Sequence, residues 1–209
     1  MKVLLLNGSP RAKGCTYTGL VEMAGELEKQ GIETEIVHVG KKAITGCVAC
    51  MGCRKVTPGR CVFTDDGVNA FLDKVEEADG VVFGSPVHFA GVPGTVKSFL
   101  DRVFYAGAAA FRGKPAAVMA SVRRGGSTAT LDGLMKYPAY GEMLIASGRY
   151  WNMIHGNTPD EVKQDLEGME NLRFVGQNMT WLLKSLEAGK QAGIKMPEAG
   201  PKMWTNFIR

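Results

Sequence analysis

Residues 2–16 read KVLLLNGSPRAKGCT. Lys2–Asn7 is apolar at successive positions rather than alternate ones, the mark of a strand covered on both faces of a parallel sheet. Gly8-Ser9-Pro10 ends it. Leu20, Met23, Ala24 and Leu27 then recur at helical spacing within residues 16–30, until Gly31 stops them. Strand and helix signals keep alternating downstream. Ile32–Val39 reads as a second strand, and a helix capped by Asp65 or Asp66 runs to about Ala78. Gly80–Gly84 is a third strand, followed by a helix from about Gly94 to Tyr105. A fourth strand at Pro115–Ser121, a helix over 126–140 and a fifth strand at Met143–Ala146 follow. Thr158-Pro159-Asp160-Glu161 has the form of a capping box with Pro at the first helical position. It opens a long helix carrying Val162, Leu166, Met169, Leu172, Val175, Met179, Leu182 and Leu186. Such alternation predicts a doubly wound α/β domain with helices on both faces of a parallel sheet. The domain is expected over 1–189, interrupted by an aperiodic Cys-, Gly- and Lys-rich insertion at 40–64 and followed by a tail at 190–209. The segment 150–157 carries no interpretable motif.

The totals agree with one such domain. The chain has 209 residues, 45% of them hydrophobic, and a formal charge of +4. Lys and Arg are spread along the chain, which argues against a nucleic-acid surface. No run approaches the ~20 apolar residues of a membrane span. Val3–Leu6 is too short for the ~7–15 residue core of a signal peptide, so a cytoplasmic location with reduced thiols is expected.

The turn after the first strand has the chemistry of a phosphate site. Its backbone amides, the partial positive charge of the following helix start, and Ser9, Arg11 and Thr16 suit a dianion. Neither G-x-x-x-x-G-K-[ST] nor G-x-G-x-x-G is present, so a monophosphate fits better than a triphosphate or a dinucleotide. The plainer alternative is an ordinary polar turn with a capped helix. Two further loops weigh against it: Gly84-Ser85-Pro86-Val87-His88-Phe89-Ala90-Gly91-Val92-Pro93-Gly94 after the third strand, and Ser121-Val122-Arg123-Arg124-Gly125-Gly126 after the fourth. In a sheet of order 2-1-3-4-5 these three loops share the carboxyl edge, where the chain reverses direction and ligands bind.

The motifs GSPR…GxT at 8–16 and GSPV…GxxKxFxDR at 84–102, with the Gly-rich third loop, resemble the NADPH-dependent FMN reductase family over about residues 1–150. The resemblance implies a flavodoxin-like three-layer sandwich with a five-stranded sheet. It places Ser9, Arg11 and Thr16, with Gly14 and Cys15, at an FMN phosphate. Ser85, Pro86, Val87, His88 and Phe89, and Ser121, Arg123, Arg124, Gly125 and Gly126, would follow the isoalloxazine ring. Cys15 stands where the family often has Asn, and His88 where it often has Tyr. In KSFLDRVF at 97–104, the apolar residues read as helix core and Asp101–Arg102 as a local ion pair or a helix-end contact.

Cys47, Cys50, Cys53 and Cys61 lie in the insertion with the spacing C-x2-C-x2-C-x7-C. A compact triad with a remote fourth is the habit of [4Fe–4S] ligation. Structural zinc more often uses two separated pairs, and free thiols are the remaining alternative. A flavodoxin-like domain with this motif is similar to the iron–sulfur flavoproteins, which implies a cluster near the flavin and an oligomer that joins cluster and FMN of different subunits.

The expected function is an FMN-dependent oxidoreductase taking hydride from NAD(P)H and reducing a small-molecule acceptor: a quinone, free flavin, nitro or azo compound. An electron carrier fed by ferredoxin is the alternative. A flavodoxin-like domain without cofactor is a third, opposed by the intact Ser9-Pro10-Arg11 turn. The long last helix, with Trp181 and the Trp151 segment, predicts a homodimer or homotetramer.

Overall fold

A computed structural model describes residues 1–201, 203–205 and 207 of the chain. Six strands, all paired in parallel, form one sheet: β1 (Lys2–Asn7), β2 (Glu33–His38), β3 (Gly80–Pro86), β4 (Pro115–Val122), β5 (Leu144–Ile145) and β6 (Met153–His155). Their order is β2-β1-β3-β4-β5, that of the flavodoxin-like sheet the resemblance implies. β1 shows why the first stretch carries the fold. Leu4 and Leu6 enter one core and Val3 and Leu5 the other, and all four are fully buried. Each strand residue thus removes apolar surface from water on one face or the other.

The first core packs helices α3 (Val68–Glu77), α4 (Gly94–Gly107) and α5 (Ser127–Tyr140) on the sheet. The second packs α1 (Cys15–Glu28), α6 (Pro159–Val162) and α7 (Leu166–Gln191). The short helix α2 (Gly52–Lys55) lies within the insertion.

Four local expectations are corrected. The fifth sheet position is filled by two pieces. β5 pairs with Pro115 and Ala116 of β4, β6 pairs with Ala120 to Val122, and the chain leaves the edge between them. The Asn152 side chain fills part of the gap by donating to the Val118 carbonyl at 3.1 Å. β6 has only three residues, too few to show a period. The capping box starts only the one-turn α6, where the Thr158 hydroxyl accepts from the Glu161 amide. The long helix begins afresh at Leu166, because Asp165 caps it through the Gly168 amide while also accepting from the His155 amide of β6. Helix α3 starts after Gly67, in left-handed backbone at φ 83°, one residue later than expected; Asp66 still accepts from the Val68 amide at 3.3 Å, with the carboxylate that also faces Arg102. Asp101 and Arg102 do not pair: Asp101 accepts from Lys97 and Tyr137, and Arg102 points the other way into the core. Past α7 the described part of the expected tail has no regular element; Lys202, Asn206, Ile208 and Arg209 lie outside the described residues.

Candidate functional site at the carboxyl edge of the sheet

β1, β3 and β4 end beside one another, and a cavity of about 350 Å³ opens at their carboxyl ends. Ser9, Pro10, Arg11, Cys15 and Thr16 line one end, Pro86, Val87 and His88 a second side, and Ser121, Val122, Arg123, Gly156 and Asn157 a third. Its size falls within the ~300–1,000 Å³ of small-molecule sites.

The β1–α1 turn is built from within. The fully buried Asn7 side chain accepts from the Ser9 amide at 3.1 Å and donates to the Ala12 carbonyl at 3.0 Å, tying both ends of the turn. The Ser9 hydroxyl accepts from the Arg11 amide at 3.1 Å. From β2, His38 Nε2 donates to the Ser9 carbonyl at 2.7 Å. Gly40 lies so close that a Cβ there would sit 2.3 Å from the Ser9 carbonyl oxygen. The turn is therefore clamped from both sides. Helix α1 begins at Gly14 with no side-chain cap and no acidic residue in its first turn. Cys15 and Thr16 of its first turn line the cavity, and the helix start carries about half a positive charge. With Arg11 beside it, that end of the cavity suits a dianion. The Thr16 and Ser121 hydroxyls, both buried, share a 2.7 Å hydrogen bond across the cavity floor.

The other two loops meet above. His88 and Gly91 exchange amide–carbonyl hydrogen bonds of 3.0 Å, closing a two-residue turn over Phe89 and Ala90. Both have positive φ, 47° and 57°, where glycine is usual. Gly126, at φ 93°, lets this turn approach: a Cβ there would lie 2.4 Å from Ala90 Cα.

Nine of the fifteen expected cofactor contacts line the cavity. Gly14, Ser85, Phe89, Arg124, Gly125 and Gly126 do not. Ser85 is fully buried and donates to the Pro86 carbonyl, Phe89 projects into solvent at the tip of its turn, and Gly126 supports that turn. Sequence reasoning missed Gly156 and Asn157, which follow the unrecognised β6. It also missed the supports Asn7, His38 and Gly40. An Asn at the end of a buried strand, just before a Gly-Ser-Pro turn, is the one signal that pointed to any of them.

The four insertion cysteines surround a second, much smaller space. Cys47, Cys50, Cys53 and Cys61 line it with Met51, Phe63, Arg102 and Tyr105, and only about 20 Å³ is free between them. Ala49 and Met51, on either side of Cys50, both have positive φ, at 53° and 60°. Strained backbone of this kind persists where surrounding contacts over-determine it. Burial raises the pKa of the Cys53 thiol, and the neighbouring Cys61 and Cys47 act in the same direction. Among the described residues, no three His, Cys, Asp or Glu side chains stand close enough to share one metal ion. The spread is wider than a single zinc requires, with its thiolates ~2.3 Å from a common centre.

Comparison with known proteins agrees with this architecture. The chain is 30% identical to an iron–sulfur flavoprotein of Methanocaldococcus jannaschii, covering 90% of this chain and 100% of that one. It is 25% identical to an iron–sulfur flavoprotein of Methanosarcina thermophila, covering 91% and 99%. Among solved structures, RosB with bound 8-demethyl-8-formylriboflavin-5'-phosphate is similar at a TM-score of 0.71, 19% identity and coverage of 100% and 92%. An archaeal flavodoxin is similar at 0.58, with 13% identity and coverage of 88% and 99%. Residues 1–158 match the family described as NADPH-dependent FMN reductase, and this chain belongs to that family.

Proposed function

We propose that the protein is an FMN-dependent oxidoreductase that takes hydride from NAD(P)H and reduces a small-molecule acceptor. One observation carries the proposal: an uncapped helix start with Arg11 beside it forms one end of a cavity whose floor is a hydroxyl pair. A mononucleotide has this polarity, a charged end joined to a flat ring. Ser9, Arg11, Thr16 and the first α1 amides would hold the phosphate. Pro86, Val87, His88 and Ser121–Arg123 would border the ring, with Arg123 supplying positive charge at the cavity edge. When bound, FMN supplies the exchange between a two-electron hydride donor and one- or two-electron acceptors. The residues of the three loops bind it, orient it and limit water around it.

The cysteine site fits a [4Fe–4S] cluster in its donor set: four thiols, an apolar wall, and an N–H donor aimed at one sulfur. Cys47 and Cys50 lie on the exposed side, so that half of the loop is free to spread around a larger group. A bound cluster supplies one-electron transfer. The cysteine space takes Arg102, Tyr105 and Ala106 of α4 into its lining and the cavity takes no α4 residue, so the two sites are separate. That separation favours an oligomer in which a partner's cluster approaches this chain's flavin. Trp181, Leu186, Tyr150 and Trp151 are exposed apolar side chains available to such an interface.

The four thiols lining one space also favour a second function, a carrier that accepts electrons from ferredoxin. No helix among the described residues is long and apolar enough to cross a membrane, in keeping with the cytoplasmic location we propose. The test is anaerobic turnover of FMN-loaded protein. Sustained NADH or NADPH oxidation with a quinone or free flavin supports the enzyme. Flavin bleaching by reduced ferredoxin with none by either nicotinamide supports the carrier and overturns the enzyme.

A further inference from the structure

Helix α4 buries one ionisable side chain among Phe99, Leu100 and Val103. Arg102 is 1% exposed, the largest fully buried side chain among the described residues. Burying a guanidinium is costly unless every donor finds a partner. Here the whole fork is used, on the insertion and on Asp66 just beyond it. Nη1 donates to the Thr45 carbonyl at 3.3 Å and Nη2 to the Phe63 carbonyl at 2.9 Å. Both also bond the Asp66 carboxylate, and the Phe63 ring covers the guanidinium at 5.2 Å. The remaining donor, Nε–H, points at Cys61 Sγ at 3.3 Å. Cys61 is fixed independently through its backbone: its amide donates to Asn69 Oδ1, and its carbonyl accepts from Asn69 Nδ2, both at 2.8 Å.

Two residues therefore hold the fourth cysteine, one through its backbone and one through its sulfur. A structural strut needs only the carbonyl and Asp66 contacts; the bond to sulfur has a separate consequence. Hydrogen bonds to ligand sulfurs are among the levers that set a cluster's potential. An N–H donor stabilises negative charge on sulfur, and more so after an electron is added. We infer that Arg102 is a positioning residue that raises the reduction potential of the cysteine site through its Nε–H bond to Cys61. The inference rests on the proposed cluster and concerns this chain's own donor to it.

The experiment compares wild-type protein, Arg102→Lys and Asn69→Ala, each loaded anaerobically with ferrous iron and sulfide. Iron and sulfide per chain, FMN content and midpoint potential are measured on each. Lysine keeps a cation against Asp66 but has no Nε–H, whereas Asn69→Ala loosens Cys61 without touching the sulfur bond. The expected result is wild-type FMN and iron content in Arg102→Lys with a more negative midpoint. Asn69→Ala should lose iron while its remaining clusters keep the wild-type potential. Equal potentials in wild type and Arg102→Lys would overturn the inference while leaving the cluster standing. So would an Arg102→Lys protein that holds FMN normally but takes up no iron, since Arg102 would then be scaffold only. Wild-type protein that takes up no iron overturns the cluster itself, and the inference with it.

Discussion

The corner where β1 becomes α1 and the cysteine insertion are both ligand-shaped, but they are shaped by different means. At the corner the sheet does the work. β1, β3 and β4 bring their loops together by register, and Asn7, His38 and Gly40 tighten a turn that the strands already place. The insertion has no strand beneath it and only four helical residues within it. It is held from outside by side chains, Asn69 from α3 and Arg102 from α4, and it tolerates left-handed backbone at Ala49 and Met51. A site made by topology should resist single substitutions that a site made by one buried side chain does not.

The largest effect should therefore come from Arg102→Ala. It strands the Thr45 and Phe63 carbonyls and the Asp66 carboxylate, and breaking a buried pair on one side costs about 3–5 kcal/mol. Thermal unfolding should show the loss, and limited proteolysis should show cleavage concentrated in residues 40–64. FMN titration of the folded fraction should stay near wild type. Loss of FMN equal to the loss of stability would show that the two sites are not separately built.

Gly40→Ala attacks the other region. A Cβ at Gly40 meets the Ser9 carbonyl oxygen at 2.3 Å and its carbon at 2.4 Å. Overpacking of this kind costs about 1–3 kcal/mol, and here the atoms that must move belong to the turn proposed to hold the phosphate. FMN affinity should fall by at least ~10-fold, about 1.4 kcal/mol, with protease resistance of the insertion unchanged. Fluorescence titration measures the first and digestion the second.

Thr16→Val is milder. It keeps the shape but leaves the buried Ser121 hydroxyl without its 2.7 Å partner. An unsatisfied buried hydroxyl costs about 1–3 kcal/mol. We expect a drop of a few degrees in Tm and weaker FMN binding. The smallest effect has the opposite sign. Ala90→Gly relieves a positive φ of 57° in the His88–Gly91 turn and should be neutral to stabilising, by up to about 1 kcal/mol. Destabilisation would mean that Ala90 contributes through its contact with Gly126.

The difference between the regions also explains what could be read from the residues. Continuous apolar runs such as Leu4-Leu5-Leu6 and Val81-Val82-Phe83 report two buried faces directly, so the parallel sheet was legible, and the order implied by the family resemblance brought the three loops together. β6 was not, since Met153-Ile154-His155 buries a single apolar side chain fully, and Gly156 and Asn157 were lost with it. The role of Arg102 was misread because local spacing favours Asp101 as a partner, and Asp66 was read only as a helix cap. Only the tertiary path of the insertion carries Asp66, 36 positions away, to the guanidinium. Non-local pairs between charged residues leave no periodic trace.

Whether a phosphate sits at the start of α1 can be asked of two ligands that differ only in that group. Equilibrium titration of the apoprotein with FMN and with riboflavin should give FMN the tighter binding by at least ~100-fold, about 2.7 kcal/mol, and Arg11→Ala should shrink that gap. Equal affinities for the two flavins, or a gap untouched by Arg11→Ala, would contradict a phosphate clasped at this turn.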